Sequence, residues 1–83
     1  MTNTTFDPND FASCVTLGMN NLNRRKEQME AERYEWNVNI NSCRWAIEQA
    51  ILNRKEGVSM MGAVCEYTDS IERKVETFNG ICQ

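Results

Sequence analysis

Residues Trp36 to Leu52 read W-N-V-N-I-N-S-C-R-W-A-I-E-Q-A-I-L, and how this stretch is wound decides the fold. At 100° per residue, Trp36, Ile40, Cys43, Ile47 and Ala50 share one stripe. Val38, Trp45 and Leu52 recur every seven residues on roughly the opposite side. A helix apolar on two sides needs cover on two sides, because each large side chain left in water forfeits about 1.5–3 kcal/mol. The stretch is therefore expected to be a central helix held between two neighbours, or between one neighbour and a partner protein. The alternation of Asn37-Val38-Asn39-Ile40-Asn41 also has the period of a short strand. The strand is rejected here because its flanks, Arg24–Glu35 and Cys43–Lys55, are strongly helical and no second strand pattern exists to pair with it.

Working towards the N-terminus, residues 1–7 are polar and expected to fray. Asp7-Pro8-Asn9-Asp10 has the make-up of a helix start, with Asp7 as the cap and Pro8 in the first turn. Asp10 adds negative charge to the positive helix end. A seven-residue rhythm follows, with Ala12, Met19, Ile40 and Ile47 at one core position. Val15, Leu22, Met29, Trp36, Cys43 and Ala50 fall at the other. Lys26 and Arg33 interrupt the first series and weaken the seam, although their stems can cover apolar surface. With one Pro and four Gly in the chain, the pattern predicts a long helix over residues 8–56. Gly18-Met19-Asn20-Asn21 marks the place where that helix could break.

Towards the C-terminus, Arg54 and Lys55 suit the negative end of the helix, and Gly57 can adopt a left-handed cap. Ser59 is placed to cap a second helix over 59–79, running back antiparallel after a short turn. Met61, Val64, Thr68, Ile71, Val75 and Phe78 form the cleanest amphipathic stripe in the chain. Asn79-Gly80 ends it, and Ile81 can fold back on the last turn.

The predicted fold class is all-α: one domain over 1–83, made of a long helix and a shorter antiparallel one, a helical hairpin. The hairpin leaves one face of the central stretch uncovered. A second copy would complete a homodimeric four-helix bundle, which is favoured because no strong turn signal separates Arg24 from Cys43. Alternatively, residues 8–35 fold back and lay Phe11, Val15 and Leu22 on Val38, Trp45 and Leu52, giving a three-helix bundle. In a third arrangement the face stays open for a different protein, since an exposed patch holding a Trp has the composition of a binding hot spot.

A chain of 83 residues buries only about 60–65% of its unfolded surface, so its core is small and either dimerisation or docking would help it. The contents, 41% hydrophobic and 25% charged, are those of an ordinary globular domain. A net charge of −3 and a pI near 4.9 count against nucleic acid as a partner. The basic run Arg24-Arg25-Lys26 is surrounded by acids and reads as a solvated face. No apolar run approaches the length of about 18 residues that a membrane span requires. The N-terminal segment lacks the features of a secretory signal, so a cytoplasmic location is expected, in the producing cell or in a host. Cys14, Cys43, Cys65 and Cys82 lie 29, 22 and 17 residues apart without the paired spacing of a zinc site. They are read as reduced, mostly buried apolar groups, and no metal or cofactor is expected.

The chain has no His, no phosphate-cradling glycine loop and no nucleophile elbow, so an enzyme is not expected. The functional expectation is a small non-enzymatic protein–protein interaction module. Its concrete form is an inhibitor or adaptor of phage or mobile-element type that occludes a host protein. Val38, Trp45 and Leu52 are the candidate partner- or self-interface. Glu66, Asp69 and Glu76 are a candidate acidic ridge for docking on a basic groove of another protein. One alternative is a structural subunit of a helical assembly. Another is a small dimeric DNA-binding regulator using Arg24, Arg25, Lys26 and Arg33.

Overall fold

A computed structural model describes residues 9–80 as three α-helices. These are α1 (Phe11–Ala31), α2 (Cys43–Leu52) and α3 (Met60–Phe78), with a single 3-10 turn, Ile40–Ser42, leading into α2. No strand occurs among the described residues, and none of the helices is long and apolar enough to cross a membrane. Each helix packs on the other two. Their shared core holds Cys14, Val15 and Leu22 from α1, Cys43, Ile47 and Ile51 from α2, and Val64 and Ile71 from α3.

Asp10 starts α1: its backbone is extended and its carboxylate accepts from the Ser13 N–H at 2.9 Å. It is thus the cap itself, not an added charge behind one. The expected roles of Asp7, Pro8 and Ile81 lie outside the described residues. The helix does not break at Gly18, which is buried within α1. A Cβ at Gly18 would lie 2.9 Å from Val64 Cγ1 and 3.0 Å from Ile47 Cδ1. The absent side chain lets α1 approach α2 and α3 together, so Gly18 is a packing residue and not a helix end.

The long helix expected over 8–56 is not formed. Helix α1 stops at Ala31, with the Arg33 N–H donating to Glu30 O and the Tyr34 N–H to Met29 O, both at 2.9 Å. This is the Schellman arrangement, and it needs a left-handed residue, here Arg33 at φ 74°. A side chain in that region costs about 1–2 kcal/mol, which is why Gly is the usual occupant. With Arg in its place, nothing in the local sequence announces the turn.

Side-chain bonds, distant and local, hold the segment 32–39. Asn79, which caps the C-terminus of α3, reaches the Glu35 backbone with its side-chain amide. It accepts from the Glu35 N–H at 2.8 Å and donates to the Glu35 carbonyl at 3.1 Å. The Trp36 indole N–H donates to Val38 O at 2.8 Å. Asn39 caps the 3-10 turn by accepting from the Asn41 N–H at 3.0 Å. Side chains therefore satisfy backbone groups that a helix would have paired internally. Asn39, Asn53 and Asn79 all stand at the ends of elements, giving several of the chain's many asparagines a structural role.

Helix α3 follows its sequence pattern closely. Ser59 is extended and its hydroxyl accepts from the Gly62 N–H at 2.9 Å. Val64, Thr68, Ile71 and Val75 are buried, Met61 is half-buried and Phe78 is exposed. The buried Thr68 hydroxyl donates to Cys65 O, and among the described residues no buried side-chain polar atom lacks a partner. Helix α2 ends at Leu52, before Arg54 and Lys55. The Arg54 guanidinium then ties the following turn, donating to Ile51 O and Val58 O at 2.8 Å each. Gly57 lies in this turn at φ 90°.

Contacts advance together along α1 and α3. Gly18 lies beside Val64, Arg25 reaches Asp69 and Glu72, and Glu35 just beyond α1 meets Asn79. The two long helices thus run in the same direction.

Candidate functional site

Helix α2 turns Cys43, Ile47 and Ile51 into the core, which leaves the residues half a turn away pointing out. Trp45 and Leu52 occupy that outer side and are 67% and 64% exposed. Seven positions apart, they share one face and are separated by about 10 Å along the axis. They are the two most exposed large apolar side chains among the described residues.

Val38 does not join them. It lies in the segment before the 3-10 turn, and its side chain packs half-buried against the core. The expected triplet assumed a continuous helix from Trp36, but helical geometry begins only at the 3-10 turn, so the seven-residue spacing of Val38 carries no common direction. Nor do Val15 and Leu22 cover Trp45: they are buried in the core beside Ile47, on the other side of α2.

The acidic ridge is likewise divided. Asp69 pairs with the guanidinium of Arg25 on α1 at 2.8 Å, and Glu72 binds the same guanidinium. Glu66 instead lines a hollow between α2 and α3, while Glu76 is half-buried. The sequence reading missed Glu72 and the inter-helix clamp it forms with Asp69 and Arg25, because a local pattern does not record a partner 47 residues away. The basic run is also largely committed within the chain. Arg24 donates to Asn21 Oδ1 at 2.8 Å, and Lys26 pairs with Glu30 at 3.0 Å. These bonds detract from its use as a free cationic stripe for nucleic acid.

A second surface was not anticipated. A hollow of about 390 Å³ between α2 and α3 is lined by Arg54 and Lys55 of the turn, by Ala50, Val58 and Ala63, and by Glu66, Tyr67, Ser70 and Arg73 of α3. Ser70 and Arg73 also line an adjoining hollow of about 410 Å³ with Lys74 and Thr77. The available signal was the pair of basic dipeptides Arg54-Lys55 and Arg73-Lys74, which only the turn between α2 and α3 brings to one side. Burial pushes ionisation of the Tyr67 hydroxyl well above its ordinary 10.0, and the neighbouring Cys43 side chain adds to this. Tyr67 therefore stays neutral at physiological pH.

Cys14 and Cys43 are buried and Cys65 is exposed; Cys82 lies outside the described residues. No three His, Cys, Asp or Glu side chains among the described residues are grouped to hold a metal ion. No protein family, curated protein or solved structure matches the chain.

Proposed function

We propose that this chain is a small non-enzymatic interaction module that docks on another protein through the outer face of α2, with Trp45 and Leu52 as its anchors. In this reading it is a monomeric three-helix bundle whose α2 and α3 form a hairpin. It acts as an inhibitor or adaptor of the kind carried by phages and other mobile elements. One observation carries the reading: the core closes without Trp45 and Leu52, which stay in water on one helix face. Burying each of them against a partner would contribute about 1.5–3 kcal/mol, and Trp is enriched among residues that dominate binding energy. The turn at Glu32–Tyr34 removes the reason for preferring a four-helix dimer, which was the lack of any break between Arg24 and Cys43.

The test compares wild type with Trp45→Asp by light scattering behind size exclusion and by thermal unfolding. The expected outcome is two folded monomers of near-equal stability, since a surface change away from packing usually costs under about 0.5 kcal/mol. A photo-crosslinker at Leu52 should then capture a partner that the Trp45→Asp background does not. A wild-type dimer dissolved by the substitution would assign the face to a second copy. An unfolded variant would place Trp45 in the core. Either result refutes the reading.

A further inference from the structure

We infer that the groove along α3, opened by the two adjoining hollows, is a binding site for an extended acidic segment of another protein. Among the described residues its lining holds Arg54, Lys55, Arg73 and Lys74, four of the nine cations in a chain of net charge −3, and a single carboxylate, Glu66. None of the four takes part in an ion pair among the described residues; those pairs use Arg25, Lys26 and Arg44. Two backbone carbonyls fix Arg54 in place without neutralising it. The four cations and Glu66 together leave an excess positive field along the lining that no ion pair among the described residues takes up, partly offset by Asp69 and Glu76 one turn from Arg73 on α3. That field favours an anionic ligand and would disfavour a cationic one.

The shape decides which anion. Glu66, Ser70, Arg73, Lys74 and Thr77 follow one flank of α3 from residue 66 to residue 77, about 16 Å at 1.5 Å per residue. An extended peptide covers that length with about five residues at roughly 3.3 Å each. The cations are strung from the turn, past Arg73 on the wall shared by both hollows, to Lys74. A row of that kind matches successive carboxylates better than it matches one phosphate. Ala50, Val58 and Ala63 line the same hollow and offer apolar contact to the peptide stems. A long polyanion such as duplex nucleic acid would also meet the acidic remainder of the surface, whereas a short segment feels charges only within about a Debye length of 10 Å. The groove is separate from the Trp45–Leu52 face, so the two proposals stand or fall independently.

The probe is a fluorescein-labelled hexaglutamate peptide followed by fluorescence anisotropy, with hexaglutamine as the neutral control. Saturable binding is expected, and it should weaken steeply as salt rises from about 50 to about 300 mM. Arg73→Glu with Lys74→Glu should weaken it by at least about tenfold, and Lys55→Glu should weaken it less but in the same direction. All three positions are exposed, and circular dichroism checks that the variants fold. Arg24→Glu with Arg44→Glu changes net charge equally at another place and should leave binding nearly unchanged, as should Trp45→Asp. The inference is overturned by no saturable binding, by equal binding of hexaglutamine, or by an equal loss in the Arg24/Arg44 control. Competition by inorganic phosphate as effective as that by unlabelled peptide would also overturn it, since the groove would then recognise a point charge.

Discussion

Substituting Gly18 by Ala sets two effects of known size against each other. In an exposed helix interior the change stabilises by about 0.8–1.0 kcal/mol, because Ala restricts the unfolded chain and has the best helix propensity. Here the new methyl would sit 2.9 Å from Val64 Cγ1 and 3.0 Å from Ile47 Cδ1. The terminal methyl of Ile47 can rotate aside at small cost. Val64 cannot, because it is β-branched, stiff about its first torsion, and fully buried. Overpacking of this sort costs about 1–3 kcal/mol, so the net expectation is a destabilisation of about 1 kcal/mol. In a domain this small that lowers Tm by about 4–8 °C. Val64→Ala alone should cost about 2 kcal/mol through lost burial and the cavity it leaves. Combined with Gly18→Ala, it makes room for the methyl, so the double variant should be more stable than the sum of the singles by about 1 kcal/mol. Urea unfolding followed by far-ultraviolet circular dichroism reads all three variants. A Gly18→Ala protein more stable than wild type, with no coupling to Val64, would mean that Gly18 faces solvent and that the three helices do not meet there.

The tie between α3 and segment 32–39 predicts that Asn79→Ala loses three hydrogen bonds and about 1–2 kcal/mol, water recovering part of their worth at this half-exposed site. Amide exchange at Glu35 should accelerate in step, and unchanged protection there would contradict the tie. Asn79→Asp keeps the acceptor but loses the donor and places a negative charge at the negative end of α3, so it should be at least as damaging. Arg33→Gly should stabilise by about 0.5 kcal/mol, since relief of the left-handed backbone outweighs the greater entropy of Gly in the unfolded chain. A loss of stability in chemical denaturation would show that the Arg33 side chain contributes something its backbone does not.

The readable parts of this protein were those determined within a turn or two of the chain. The stripe Val64, Thr68, Ile71 and Val75 and the cap at Ser59 specify α3, because amphipathic period and capping act over three or four residues. Val15, Leu22, Cys43 and Ile47 were legible as core for the same reason. The end of α1 was not legible. It depends on Arg33 tolerating a left-handed backbone and on Asn79 bonding Glu35 from 44 residues away, and no local window holds both partners. That one turn also decided the candidate surfaces. By ending the helix at Ala31 it moved Val38 onto the core, left Trp45 and Leu52 outside, and aligned Arg25 with Asp69 and Glu72. The sequence by itself determined which residues are apolar and which stretches carry helical periodicity and caps, since those preferences belong to each residue and its near neighbours. Which of them face each other was decided by tertiary contacts, whose free energy exists only once distant segments have met.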